Sequence, residues 1–442
     1  MNSLPLRTSP RAPVGDAMAN DDGGTYITST TWDQYVEGWA GITATAPASL
    51  SVYLRAHSSG LSSVVQTISL KNAVNICASE GTQNRRYHGL TDISAGGGAT
   101  LTTGRVVHRL GVHGTVPMKT VPTNGDNIVW RIIERVADAY REVLAPSLAL
   151  PRVDVTVTKR IPLSAGLGSK AADAAAALVA ADRFFGYHFI VRAMGFSTPA
   201  GVDTSAIGSL PAGVLRRIGR EVCPDESAVI DLVLDGGTSI MRRDHDDGDE
   251  SSANTCRRTP LLTRGPYWWV VAVPMVLSPG VDLPPSGGSE RPGTSFETED
   301  IAVTLCERVM NRLTDQRAEM ALGKKAHRRV GRMEDLERAL VSGDPSAVAC
   351  TMGSDLQPAA ISVVPSLRRV IQAGDRAGAL GALVANQGPA CALLCMDEAH
   401  AESVHNELMG SGAVRMARIA SSHAPGDETG THIVSHAHDE TP

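Results

Sequence analysis

The sequence predicts a loop-rich α/β or α+β protein with two or three domains. The length of 442 residues sets the domain number, at roughly 150 residues for each domain. The 43 glycines and 25 prolines indicate many turns, and 42% hydrophobic residues are enough for a sizeable core. Only 4% of the residues are aromatic, so Ala, Val, Leu and Ile must form most of that core.

Charge, apolar stretches and cysteines exclude several classes of protein. The 41 Lys plus Arg against 47 Asp plus Glu give a net charge of -6, which argues against nucleic-acid binding. The longest apolar stretch, residues 266–277, is shorter than the ~20 residues of a membrane helix and is interpreted as a buried strand. No secretory signal is visible, and seven scattered cysteines without a CxxC indicate reduced thiols. We therefore expect a cytoplasmic monomer or homodimer with neither nucleic acid nor membrane as a partner.

Local patterns predict the elements in order. Residues 1–41 are polar and Pro-rich at their start, which predicts a flexible extension. Apolar and polar residues alternate over residues 153–158, the period of a half-buried strand. The second half of residues 159–186 is Ala-rich and should be helical. A highly charged stretch makes residues 242–262 a predicted exposed loop.

The C-terminal part is predicted in the same way. Residues 354–379 have the pattern of two helices that are broken at Pro365. Residues 383–395 are apolar on both sides of a Gly-Pro turn, which suits two buried strands or a strand and a loop. The polar tail 424–442 contains three histidines that could bind a metal, although we expect them to be solvated: His432, His436 and His438.

The connection between the predicted strand and the Ala-rich helix has the features of an anion site. Gly166 and Gly168 have no Cβ and allow a sharp turn close to a ligand. The helix that follows points its free N–H groups and its positive dipole end at this loop. Ser169 adds a hydroxyl, Lys170 adds a cation, and Asp173 lies about one turn into the helix. A tight structural turn without a ligand is the alternative interpretation.

Several segments resemble one known family. Residues 161–172 (IPLSAGLGSKAA) differ at one position, Lys170, from the phosphate-loop pattern of the GHMP kinases, where Ser is usual. Further segments resemble the branch of 4-diphosphocytidyl-2-C-methyl-D-erythritol kinases, in the order that this branch has. They are TAPASLSVYL at 45–54, QTISL at 66–70, VPTNGDNIVWR at 121–131, DGGTSI at 235–240 and the long segment 354–395.

The resemblance implies a two-lobed α+β fold with the active site between the lobes. The N-terminal lobe, 42–222, would resemble ribosomal protein S5 domain 2 and carry the phosphate loop. The C-terminal lobe, 223–423, would be ferredoxin-like. The implied reaction moves the γ-phosphate of ATP, with Mg²⁺, onto a hydroxyl of the methylerythritol moiety in the isoprenoid pathway. Its implied substrate is a small-molecule alcohol.

The resemblance also assigns roles to residues. Asp173 stands at the position of the family's catalytic Asp, and Ser49 stands where the family has a Lys that pairs with it. Lys170 is the third candidate at the catalytic centre. The implied ATP-binding residues are Pro162, Ser164, Ala165, Gly166, Leu167, Gly168 and Ser169. A third-motif loop for substrate contains Asn386, Gln387 and Gly388.

Four motifs depart from the family pattern, and this leaves two interpretations open. Ser49 replaces the family's lysine and so removes a preorganised cation, a change that lowers the rate by roughly 10²–10⁴-fold. Lys170 could replace part of that charge or could block the phosphate site. The region 57–65 lacks the family's substrate motif, the third glycine motif has lost its hydroxyls, and residues 227–231 differ from the family's Ser-Asp-Val-Pro-Phe. The chain is thus either an active kinase or an impaired or repurposed paralog that binds a nucleotide or precursor.

Overall fold

The computed structural model describes most of the chain from residue 41 onward. The described residues are 41–57, 60–79, 101–114, 121–163, 165–194, 209–244, 256–275, 330–386, 388–422 and 430–434, with the backbone alone for 187–194. Two further short strands, β1 (Met18–Ala19) and β2 (Thr25–Tyr26), pair with each other.

A large mixed sheet is built around a long antiparallel hairpin of β3 (Ile42–His57) and β4 (Gly60–Ala78). Both strands carry apolar residues at most inward positions, which buries this hairpin in the main core. The other strands are β6 (Val107–Gly114), β8 (Val153–Lys159), β9 (Thr238–Asp244), β10 (Cys256–Leu261), β12 (Gly353–Ser354) and β16 (His432–Val434), with a separate ladder of β5 (Leu101–Thr102) and β7 (Leu150–Pro151). The sheet order is β10-β9-β4-β3-β12, while β8 joins β4 to β6 and β16 pairs with β3.

Four helices pack against this sheet or against one another. They are α1 (Ile128–Leu144), α2 (Ser169–Met194), α3 (Ala212–Val222) and α4 (Ser227–Asp235). Asn127 caps α1, because its side-chain oxygen accepts the Val129 N–H at 2.9 Å. The predicted Ala-rich helix is confirmed as α2, in which every alanine from Ala171 to Ala181 is buried. Such small side chains let α2 lie close to β3 and β4.

A second sheet consists of four antiparallel strands, β11 (Trp268–Pro274), β13 (Gly381–Val384), β14 (Cys391–Cys395) and β15 (Val414–Ser421). Their order in the sheet is β13-β14-β11-β15. The helices in this part of the chain are α5 (Met333–Ser342), α6 (Pro345–Thr351), α7 (Gln357–Val363), α8 (Ser366–Arg376) and α9 (Glu398–Gly410). The buried strand predicted within 266–277, the helix break at Pro365 and two strands within 383–395 are confirmed.

Two expectations from sequence are wrong where the structure describes them. Residues 256–261, predicted as part of an exposed loop, form β10 and pair antiparallel with β9. His432, predicted to be solvated, lies in β16, and its Nε2 is 3.1 Å from Thr45 Oγ1. The reason is the same in both cases, since a polar segment gains backbone hydrogen bonds at a sheet edge that its composition does not reveal. His436, His438 and residues 245–255 lie outside the described residues.

The extension 1–41 is described only at β1, β2 and residue 41, and the lobe limits 42–222 and 223–423 stay predictions. Over the described part of the chain, no helix has both the length and the apolar character needed to cross a membrane.

Candidate active site

Two glycines with positive φ determine the backbone conformation of the loop between β8 and α2. Gly166 and Gly168 have φ of 78° and 66°, a region that favours glycine. A Cβ on Gly166 would collide with the carbonyl oxygen of Ala385, and a Cβ on Gly168 would collide with Ser49 Oγ. The predicted phosphate loop therefore packs against Ser49 of β3 and against Ala385 and Gly388 of the third motif.

The third-motif turn lies directly on this loop. Asn386 has φ of 51°, a left-handed conformation that asparagine adopts more readily than most other non-glycine residues. A Cβ on Gly388 would collide with the backbone of Ala165 and Gly166. The turn keeps the close backbone approach that a glycine motif provides, although its hydroxyls are gone. Gln387 lies outside the described residues.

Ser49 lies at the edge of the phosphate loop. Its backbone N–H donates to the carbonyl oxygen of Leu167 at 3.0 Å, and the residue is 6% exposed. Since Ser49 Oγ faces Gly168, the structure brings together the two positions that the sequence assigned to separate motifs. Position 49 therefore contributes only a neutral hydroxyl at this edge of the phosphate loop.

Asp173 is buried in the first turns of α2 and is held by donors from two strands. Lys159 Nζ, at the end of β8, forms an ion pair with Asp173 Oδ2. Asn72 Nδ2, on β4, donates to Asp173 Oδ1 at 2.7 Å. Lys159 Nζ and Asn72 Nδ2 also lie 3.1 Å from Ser169 Oγ. These four side chains form one polar cluster beneath the loop, which we call the Asp173 cluster.

The orientation of the Asn72 amide follows from its surroundings. Asn72 Oδ1 accepts the backbone N–H groups of Arg160 and Ile161, each at 2.9 Å. The opposite flip would place two donors against each other, so Nδ2 must face Asp173 and Ser169. Asn72 thereby ties the carboxylate to the backbone at the start of the phosphate loop.

Burial and the charged or hydrogen-bonding partners have opposite effects on the pKa of Asp173. Burial raises the pKa of Asp173, while the Lys159 ammonium and the Lys159 and Asn72 hydrogen bonds oppose that rise. Burial also raises the pKa of Glu226, in the short 3₁₀ helix Pro224–Glu226 before α4, where Asp173 adds to the rise and Lys170 opposes it. The exposed Lys170 thus has its charge beside Glu226 at the start of α2.

The remaining residues of the predicted site are near this loop or outside the described chain. Pro162, Ala165 and Leu167 are buried, whereas Ser164 lies outside the described residues. Sequence reasoning missed three polar groups: Lys159, Asn72 and Glu226. The sequence could have indicated two of them, because side chains alternate between the two faces of a strand. Lys159 lies two residues after Val157 and Asn72 lies two residues before Val74, so both are on the buried faces of β8 and β4.

Comparison with known proteins places the chain in a family. The GHMP kinases N terminal domain matches residues 127–194, and the GHMP kinases C terminal domain matches residues 331–412. The 4-diphosphocytidyl-2-C-methyl-D-erythritol kinase of Rhodococcus jostii (strain RHA1) is 31% identical over 309 residues, which cover 70% of this chain and 76% of that protein. The chain belongs to the GHMP kinases. This family and the names of its relatives support a phosphotransferase with an alcohol as acceptor.

Other relatives agree with this assignment. The kinase of the same name from Nocardia farcinica (strain IFM 10152) is 30% identical over 306 residues, 69% of this chain and 76% of that protein. The mevalonate kinase of L. major, solved in complex with R-mevalonate, has a TM-score of 0.54 at 11% identity. The likeness covers 87% of this chain and 97% of that chain. At this low identity the match shows the GHMP kinase fold, and the reaction must be argued from the site.

Proposed function

We propose that this GHMP kinase transfers the γ-phosphate of ATP to a hydroxyl of 4-diphosphocytidyl-2-C-methyl-D-erythritol or of a closely related alcohol. The names of the relatives support the substrate class. The observation that carries the proposal is Asp173, a buried carboxylate at the start of α2, with Lys159 on one oxygen and Asn72 on the other. Phosphoryl transfer needs positioning and charge neutralisation more than covalent chemistry, and this site provides both.

Asp173 takes the role of proton acceptor. As the hydroxyl oxygen bonds to the γ-phosphorus, its proton passes to Asp173. The bond from that phosphorus to the bridging oxygen breaks, and ADP leaves with the electron pair. Burial favours this step, since it raises the pKa of Asp173 and so strengthens the carboxylate as a base.

Ser169 acts as a hydrogen-bond donor to the bound phosphates. A hydroxyl has two lone pairs and one O–H. Lys159 Nζ and Asn72 Nδ2 each donate to Ser169 Oγ at 3.1 Å, which uses both lone pairs. The O–H is left to donate, and an anion over the N-terminus of α2 is the fitting acceptor.

The residues around the loop fit ATP and Mg²⁺. The fixed loop and the start of α2 would hold the phosphates, and Lys170 adds a cation beside them. The Glu226 carboxylate lies beside the loop, close to Lys170 and Asp173, and has the oxygen chemistry that Mg²⁺ prefers. Glu226 would hold the ion, and the ion would neutralise part of the negative charge of the phosphates.

The test is a transfer assay with labelled ATP, Mg²⁺ and the diphosphocytidyl methylerythritol. We expect product from the parent chain and a loss of at least about 10²-fold in Asp173→Asn. Asp182→Asn is the matched control, because Asp182 is a buried, hydrogen-bonded carboxylate on the same helix that contacts Tyr140 instead of the loop. If Asp173→Asn is as fast as the parent, the proposed mechanism is wrong.

A second candidate is a paralog that binds a nucleotide or precursor without transfer. The neutral Ser49 favours it, because the family has a lysine at that position. A Ser49→Lys variant separates the two candidates in the same assay. Product from the parent supports the active kinase, while product from the variant alone supports a silenced one. Ligand binding measured by calorimetry, with no product from either chain, supports the binding role.

A further inference from the structure

We propose that the large sheet carries a second ligand site, on the face opposite to Ser49, and that this site takes a small phosphate ester with hydroxyl groups. A cavity of about 320 Å³ opens there between α5 and the strands β3, β4 and β9. Arg55, which lines the cavity, is about 20 Å from Ser49 along β3 at the ordinary rise of a strand. The inference goes beyond the proposed function and does not depend on it.

A register shift in the hairpin separates this cavity from the candidate active site. Ser51 pairs with Val65 on β4, whereas Tyr53 pairs with Val64. Residues that are directly opposite each other in an antiparallel pair share a face, and consecutive residues of a strand point to opposite faces. Tyr53, which lines the cavity, therefore lies on the other face of the sheet from Ser49 and Ser51. The phosphate loop contacts the Ser49 face, so the two sites are distinct.

Three arginines and one serine form a row across four neighbouring strands on the cavity face. Arg55 on β3 is opposite Ser62 on β4, and Ser62 is opposite Arg242 on β9. Arg242 is in turn opposite Arg257 on β10. Because neighbouring strands are about 5 Å apart, the guanidinium groups of Arg55 and Arg242 can reach one anion from both sides of the Ser62 hydroxyl.

This row concentrates positive charge that the protein itself leaves without an ion pair. Like charges that are directly opposite on neighbouring strands destabilise a sheet, and Arg242 and Arg257 are placed in this way. In the described part of the chain, no ion pair joins Arg55, Arg242 or Arg257 to an acid, and Glu334 of α5 pairs with Arg332 at 3.4 Å. A bound phosphate would relieve the repulsion, and guanidinium groups bind phosphate with two parallel hydrogen bonds.

The helical side of the cavity determines what else the ligand carries. α5 contributes Glu334 and Glu337 there, and carboxylates accept hydrogen bonds and repel a phosphate. A ligand that fills the cavity therefore places its phosphate at the arginines of the sheet and its hydroxyl donors at the glutamates of the helix. A phosphate ester of a small polyol has this distribution of groups, whereas the free phosphate ion lacks the second half.

The experiment measures binding of sn-glycerol 3-phosphate to the full-length protein by isothermal titration calorimetry. Because the phosphate loop can also bind an anion, variants identify the site. We expect Arg55→Gln and Arg242→Gln each to weaken the binding at least about tenfold. Arg243→Gln is the matched control, since it removes the same charge from the next residue of β9, which faces the other way and donates to the Asp225 carbonyl oxygen at 3.1 Å.

Each outcome decides part of the proposal. Tighter binding of glycerol 3-phosphate than of inorganic phosphate, with a loss in Arg242→Gln but not in Arg243→Gln, supports it. No binding to the parent, or equal affinities in Arg242→Gln and Arg243→Gln, overturns the site. Inorganic phosphate that binds as tightly as the ester overturns the assignment of an ester. If Arg55→Gln does not fold, Arg242→Gln decides, because Arg242 is exposed.

Discussion

Asn72 on β4 donates a 2.7 Å hydrogen bond to Asp173 Oδ1, and its own oxygen accepts the N–H groups of Arg160 and Ile161. One side chain thus connects the proposed proton acceptor with the first residues of the phosphate loop. A displacement of β4 would move both together, which links the catalytic geometry to the central hairpin.

Asn72→Asp should abolish efficient transfer. The new carboxylate faces Asp173, and a like charge at hydrogen-bond distance raises the pKa of both groups while the 2.7 Å hydrogen bond is lost. We expect a fall of at least about 10²-fold in kcat, measured with labelled ATP. Asn75→Asp is the control, because Asn75 lies on the same strand and contacts Thr43 away from the loop. Equal losses in the two variants would contradict a specific role for Asn72.

Gly168→Ala should disrupt the phosphate loop. The residue has φ of 66°, and the added Cβ would collide with Ser49 Oγ. Strain of this kind costs about 1–3 kcal/mol, so we expect a lower melting temperature and weaker ATP binding by calorimetry. Gly213→Ala on α3 is the matched control: among the described residues beyond its own helix backbone and chain neighbours, no atom lies within 4 Å of the new Cβ, and the helix should gain up to about 1 kcal/mol. Unchanged ATP affinity in Gly168→Ala would exclude this loop as the nucleotide site.

The effect of a substitution at Asn386 should depend on whether the new residue tolerates positive φ. Its φ of 51° is left-handed, which costs a branched or bulky residue about 1–2 kcal/mol. Asn386→Gly should therefore retain both stability and activity, while Asn386→Val should lose stability in urea unfolding and raise the KM for ATP. If Asn386→Gly is as impaired as Asn386→Val, the side chain itself contacts a ligand and the conformational explanation fails.

Asp182→Asn should change how stability depends on pH. Burial raises the pKa of Asp182 above its ordinary value of 3.8, although the Leu210 N–H and the Tyr140 hydroxyl oppose that rise. A carboxyl with a raised folded pKa contributes stability that is full below the unfolded value and is lost as pH rises through the folded value. The asparagine keeps an acceptor oxygen and does not ionise. The free energy of unfolding of the variant relative to the parent should therefore grow as pH rises above 3.8 and through the raised folded pKa of Asp182. A constant difference in urea unfolding across that range would contradict the burial argument.

Local pattern was sufficient for much of the fold. The alternation over 153–158 identified β8, the alanine run identified α2, and Pro365 marked the break between α7 and α8. These features depend on neighbours in the chain, which is why the sequence shows them. The strand pairing of residues 256–261 and of His432 was missed, since it depends on which sheet edges remain open after the chain has folded.

The sequence by itself was sufficient to identify the family motifs, the glycine loop, Asp173 as a candidate residue and the replacement of the family's lysine by Ser49. The tertiary structure alone decided which side chains surround Asp173. Asn72 lies 101 residues from Asp173 along the chain, and the pairing of β4 with β8 brings it to the start of the phosphate loop, where Lys159 also meets Asp173. Periodicity places a residue on a buried face, but the order and register of strands decide what it meets there. For that reason the loss of the family's lysine at position 49 is visible in the sequence, whereas the ion pair of Asp173 with Lys159 becomes evident only in the fold.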